Sequence, residues 1–191
     1  ELRALGVNFN LAPSMDINSN PDNPVIGVRS FGDTPEIVSE YSIPTFKELL
    51  AQKVMTVGKH FPGHGDTAED THLHLPIVDK TMEELEQMEL LPFKNAIAEG
   101  LPAIMSSHIR FPAIEPEPLP ATMSRKVLTD LLRGTMEFQG LVVTDCLEMD
   151  AIGTHFGTVE GAIAAADAGA DLVLISHTYS LGEEAAIKMK K

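Results

Sequence analysis

Apolar and polar positions segregate along this chain in blocks. Short apolar runs bounded by turn residues alternate with longer stretches of helical periodicity. The apolar runs are VNFNLA (7–12), VMTVG (54–58), PAIMSS (102–107), GLVVTD (140–145) and ADLVLIS (170–176). They are rich in Val, Ile, Leu and Met, and most lack polar alternation, which predicts strands buried on both faces, as in a parallel sheet. Between them, 34–52 opens with Pro35 and holds Pro44, which predicts a helix kinked or split there. Residues 81–99 open with Thr81 and Glu84, a capping-box pattern, hold Pro92 as an expected break, and end at Gly100. Residues 124–133 start at a Ser124 cap, and 158–168 run to Gly169.

Strand alternating with helix predicts an α/β fold with a parallel sheet. Two architectures fit, an open doubly wound sheet and a (β/α)8 TIM-type barrel. The phosphate-cradling patterns G-x-G-x-x-G and G-x-x-x-x-G-K-[ST] are absent, which weakens the nucleotide-binding open sheets. Polar clusters follow the apolar runs: PSMDINSN, KHFPGHGD, SHIR, TDCLEM and SHT. Catalytic groups of barrels gather at the carboxyl ends of strands, so this placement favours the barrel. About five βα units are visible where a closed barrel has about eight. The expectation is an incomplete barrel within a single domain, 1–191, with strands before Glu1. No repeat, linker or low-complexity tract divides the chain, and FPAIEPEPLP (111–120) reads as a surface loop.

Composition narrows the partners. A net charge of -14 argues against nucleic acid, whose phosphates select basic surfaces. No apolar run approaches the ~20 residues needed to span a bilayer. The single cysteine, Cys146, excludes an internal disulfide framework. Bacterial cytoplasm and cell surface both stay open as compartments. Unpaired edges of an incomplete barrel would favour self-association.

The chemistry concentrates in GKHFPGHGDTAEDTHLHLP (58–76), which holds four of the seven histidines. His60 and His64 have i, i+4 spacing, but Pro62, Gly63 and Gly65 exclude the helix that a zinc-binding H-E-x-x-H needs. A barrel could still gather a metal from His60, His108, Asp145 and His177. The alternative is a hydrogen-bonded loop without chemistry. Asp145 directly follows LVVT, so it stands at a strand mouth beside buried apolar residues, where a carboxylate needs a partner or a role. A helix cap or ion pair is the plain reading. Asp70 and His72, two apart, can form a dyad in which the carboxylate fixes the tautomer of the ring. Arg29 lies in NPDNPVIGVRSFGD (20–33), and its fork suits hydroxyls or a carboxylate, or a surface ion pair.

The stretches APSMDINSNPDNPVIGVRSFG, KHFPGHGDTAEDTHLHLP, AIMSSHI and GLVVTDCLEMDAI resemble, in order and spacing, glycoside hydrolase family 3. The resemblance is to its bacterial β-N-acetylhexosaminidase (β-N-acetylglucosaminidase) branch, and it runs over nearly the whole chain. It implies the catalytic barrel domain of that family and retaining hydrolysis of terminal β-linked N-acetylglucosamine, from cell-wall muropeptides or chitooligosaccharides. Asp145 matches the nucleophile that forms a covalent glycosyl intermediate. His72, oriented by Asp70, matches the acid/base, and Arg29, Lys59 and His60 match residues that hold the sugar. No metal or organic cofactor is implied. The resemblance also admits a glycoside phosphorylase, since some relatives are phosphorylases and a histidine acid/base repels a phosphate less than a carboxylate does. Alternatives are a β-glucosidase of the same family, a metal-dependent barrel hydrolase and an inactive fragment. Departures are D-T-H where D-S-H is commoner, and Cys146 where a second Asp is frequent. The family's first two strands, including an acidic D-x-E-G-G sugar-binding segment, would precede Glu1.

Overall fold

The computed structural model of the protein describes residues 1–67 and 75–190. Its strands are β1 (Phe9–Asn10), β2 (Met55–Thr56), β3 (Gly58–Phe61), β4 (Ala103–Ser106), β5 (Leu141–Cys146) and β6 (Leu172–Leu174). Each apolar run of the sequence yields one of them, and 54–58 extends into two consecutive pieces, so Lys59 and His60 lie within a strand. All pairings are parallel, with β1 beside β2 and the order β3-β4-β5-β6. A parallel bridge from Ser14 to Lys59 carries the first pairing on to β3. The described strands therefore follow in chain order without a reversal. Doubly wound sheets reverse at a switch point, and barrels do not. The chain forms part of a (β/α)8 barrel.

Strand alternation sends side chains to two apolar layers. Val57, Ala103, Met105 and Val143 cluster on the inner face, with Phe9 and Leu141 packed against them. Ile104 and Val142 point outward into the larger cluster that includes Phe46, Phe93 and Phe138. Because Asp145 is two residues beyond Val143 on β5, it shares the inner face.

The helices cover the outer face. α1 (Pro35–Ala51) is one helix that runs through Pro44, contrary to the expected split. Pro44 and Glu40 are both exposed, so the carbonyl that loses its donor faces water, while Val38, Ser42 and Phe46 keep a buried stripe. The 81–99 segment does break, but at 88–89, giving α2 (Met82–Gln87) and α3 (Leu90–Ala98). Pro92 falls in the first turn of α3, where no intrahelical donor is required, so it initiates a helix where a break was expected. Ser124 caps the next helix, its Oγ accepting from Val127 N–H at 3.2 Å. That helix, Lys126–Thr135, is wound as a π-helix, and Met136 N–H closes it on Leu131 O at 2.8 Å. α4 (Asp150–Gly153), α5 (Thr158–Ala168) and α6 (Tyr179–Met189) complete the order, and Gly169 ends α5 at φ 117. None of the helices is long and apolar enough to cross a membrane among the described residues.

The capping box is reciprocal. Thr81 Oγ1 accepts from Glu84 N–H at 3.2 Å and Glu84 Oε2 accepts from Thr81 N–H at 2.8 Å. Thr81→Ala removes one half of it and should cost about 1 kcal/mol. In a chain of this size that is a fall of about 2–4 °C in Tm by calorimetry, with no change in far-ultraviolet circular dichroism.

Candidate functional site

The carboxyl ends of β1, β3, β4 and β5 converge on one buried carboxylate and one accessible one. The buried one is Asp16, fully inaccessible, in the loop that leaves β1. Its Oδ1 accepts from His60 N–H at 3.1 Å and His64 N–H at 2.8 Å. Its Oδ2 accepts from Ser14 Oγ at 2.8 Å and His60 Nδ1 at 2.7 Å. Burial alone would raise the pKa of Asp16. The His60 charge and hydrogen bonds, with the His64 charge, outweigh it and hold the group well below the usual carboxylate range.

The carboxylate can only accept, so His60 carries a proton on Nδ1. That tautomer turns Nε2 towards Asp145, 3.8 Å from Oδ2. The gap is too long for a hydrogen bond and leaves both groups available to a third partner. Asp145 is 26% exposed at the end of β5, and its Oδ1 accepts from Cys146 N–H at 2.7 Å. His108 is buried and donates from Nε2 to Cys146 O at 3.0 Å, while Nδ1 lies 2.9 Å from Thr122 Oγ1. Burial lowers the pKa of His108, which favours the neutral ring. His108 thus holds the carbonyl of the residue that follows Asp145.

Lys59 is half-buried on β3. Burial lowers its pKa, as does the Arg29 charge, against the raising effect of Asp145 and Asp16. Arg29 is exposed, and its Nε and Nη2 both donate to Val25 O, at 3.1 and 2.9 Å, which fixes the guanidinium. Its charge also acts on His64. Arg29, Lys59, His60 and Asp145 therefore form one electrostatic neighbourhood.

The loops around them interlock. Asn23 Nδ2 donates to His64 O at 2.8 Å and to Thr67 Oγ1 at 3.1 Å, joining loop 20–33 to loop 62–67. A Cβ at Gly65 would stand 1.6 Å from Ile17 O, so only glycine permits this approach. Lys80 binds Asp66 at 2.9 Å and Glu89 at 2.5 Å from the other side. A cavity of about 300 Å³ opens above the site, bordered by His64, Pro76, His108, Asp145, Glu148 and Met149. Asp70 and His72 lie outside the described residues, as does His74.

The possible metal set of the sequence does not assemble. His60 Nδ1 is taken by Asp16, His108 is engaged at both nitrogens, and His177 sits with Cys146 and Glu148 instead. The residue that sequence reasoning overlooked is Asp16. Its one signal was position: like Asp145 it lies in a polar cluster just after an apolar run.

A parallel βα-barrel section with an Asp–His pair facing an accessible Asp at the strand ends is the scaffold of a barrel enzyme. The chain matches the Glycosyl hydrolase family 3 N terminal domain over residues 1–190. It belongs to that family. Beta-hexosaminidase A of Pseudoalteromonas piscicida is 42% identical over 186 residues, which is 92% of this chain and 31% of that protein. A Beta-hexosaminidase of Xylella fastidiosa (strain M23) is 38% identical, over 93% of this chain and 52% of that one. The solved structure of a glycoside hydrolase family 3 β-N-acetylglucosaminidase from Paenibacillus sp. str. FPU-7 superposes at TM-score 0.96 with 52% identity. That match covers 98% of this chain and 36% of the other. The β-glucoside phosphorylase BglX superposes at 0.92 with 27% identity, covering 98% of this chain and 35% of the other. The chain spans about half the length, or less, of these relatives.

Asp16→Asn leaves the buried donors of His60 and His64 facing an amide, and should cost about 3–5 kcal/mol in urea denaturation at neutral pH. The unfolded carboxyl protonates near about 3.9 and the folded one lower. The contribution of Asp16 is therefore full above about pH 4 and is lost as pH falls towards the depressed folded value. The acid-side fall of the urea midpoint should be shallower in Asp16→Asn than in the wild type.

Proposed function

We propose that this chain carries the nucleophile side of a retaining glycosidase that releases terminal β-linked N-acetylglucosamine. The observation that carries the reading is Asp145, an accessible carboxylate at a barrel strand end, open to the cavity and 3.8 Å from a histidine whose far nitrogen is locked. Asp145 Oδ2 attacks the anomeric carbon, the glycosidic C–O bond breaks, and a covalent glycosyl ester forms. His60 Nε2, Lys59 and Arg29 hold the sugar hydroxyls, with the Asp16 contact keeping His60 in one orientation. His72, oriented by Asp70, protonates the leaving oxygen and later takes a proton from water. The names of the hexosaminidase relatives support N-acetylhexosamine as the substrate class. The likeness to a phosphorylase raises phosphate as a rival to water in the second step.

Asp145→Asn should lower kcat/KM by at least about 1,000-fold, equivalent to about 4 kcal/mol of lost transition-state stabilisation, while melting stays cooperative. A fluorinated N-acetylglucosaminyl donor that accumulates the intermediate should add its sugar mass to the peptide containing Asp145. Labelling elsewhere, or substantial turnover by the variant, defeats the assignment.

His72→Ala should cost about 100- to 10,000-fold on an alkyl glycoside and far less on a nitrophenyl glycoside, whose leaving group needs little protonation. Equal losses on both would remove His72 from the acid role. Product analysis with phosphate present separates hydrolysis from phosphorolysis.

A further inference from the structure

We infer that Cys146, Glu148 and His177 form a binding site for a zinc-class divalent cation at the rim of the cavity, and that occupancy inhibits the enzyme. Among the described residues, the donor atoms of these three side chains all lie within 4.8 Å of one another. Tetrahedral zinc brings its ligands to about 3.3–3.8 Å from one another, given bond lengths of about 2.0–2.3 Å. The set is therefore expanded by at most about 1.5 Å relative to that geometry, within the reach of rotamer changes at partly or fully exposed side chains.

The donor types choose the ion. A thiolate and an imidazole disfavour magnesium and calcium, which take oxygen ligands, and suit zinc or its cobalt substitute. The carboxylate is already prepared. The Thr178 hydroxyl first, then the His177 and Ser176 N–H groups, hold Glu148 ionised by hydrogen bonds, the His177 N–H to Oε2 at 2.6 Å. These bonds also tie the turn after β6 to the loop after β5, so two of the donors have a fixed spacing. Binding deprotonates the Cys146 thiol and releases that proton to solvent. Three protein ligands leave a fourth position for water.

The location gives the consequence. Cys146 directly follows Asp145, and Glu148 borders the same cavity as Asp145. A dication there draws on the negative charge of the nucleophile and narrows the entrance. The inhibition rests on the function proposed above, whereas the binding does not.

Cys146 is the chain's one cysteine, so a thiolate-to-cobalt charge-transfer band in the near ultraviolet can arise only there. Titrating this chain with cobalt under reducing conditions should develop that band to one equivalent, and zinc should bleach it. Cys146→Ser should abolish the band, and His177→Gln should weaken zinc binding in calorimetry at least about tenfold. Zinc should inhibit hydrolysis by the wild type, and EDTA should reverse it. A missing band, or zinc affinity unchanged in both variants, overturns the site. A band without zinc inhibition in an active enzyme overturns the regulatory half. A chain that shows the band but no glycosidase activity leaves the cation site standing and defeats the functional reading instead.

Discussion

The buried Asp16 carboxylate is the constraint on which the rest of the site depends. A charge removed from water is tolerable only when donors replace its hydration. Asp16 draws four of them from three places: Ser14 beside it, the backbone and ring of His60 on β3, and the backbone of His64 in the loop beyond. The β1 loop and the β3 loop must therefore meet at one point. The contact of Gly65 with Ile17 O and the Asn23 clasp on His64 are the packing that this meeting requires. Removing the charge would leave buried N–H groups unpaired, so fold and site share one interaction.

The same arrangement sorts the local electrostatics. The chain is strongly acidic, yet Arg29 and Lys59 stand together beside Asp145. Burial and the neighbouring guanidinium disfavour the charged Lys59, and two carboxylates offset that. Donors and acceptors are thereby both presented without a large net field. The positive pair also limits the repulsion that a second anion near Asp145 would meet.

Much of this was legible in the chain itself. Each apolar run became a strand, the capping box at Thr81 formed, and Asp145, Lys59, His60 and Arg29 fell into one neighbourhood. The family resemblance supplied roles that periodicity could not. Asp16 escaped because its meaning lies in contacts with residues 44 and 48 positions away, which no local pattern encodes. Pro44 misled because the cost of a missing donor depends on whether the orphaned carbonyl sees water, and here it does. Pro92 misled because the same residue breaks a helix interior and suits a first turn. His108 looked available to a metal until its ring nitrogens were found occupied by Thr122 and Cys146.

Two carboxylates flank the imidazole of His60, and their surroundings differ sharply. The two oxygens of Asp16 are covered by four donors, and it has no exposed surface. Hydrogen bonds that stabilise a carboxylate also lower its reactivity, and a buried one cannot reach a sugar. Asp145 accepts one backbone hydrogen bond on Oδ1 and opens to the cavity with 26% of its side chain exposed. Its Oδ2 is near His60 but not bonded to it. Accessibility and donor count separate the two: one carboxylate fixes the histidine, and the other opens to the cavity across it. That division also accounts for the order of the elements. The fixing group sits on the loop after β1, deep in the packing, and the accessible group lies at the end of β5, where the inner face of the barrel meets solvent.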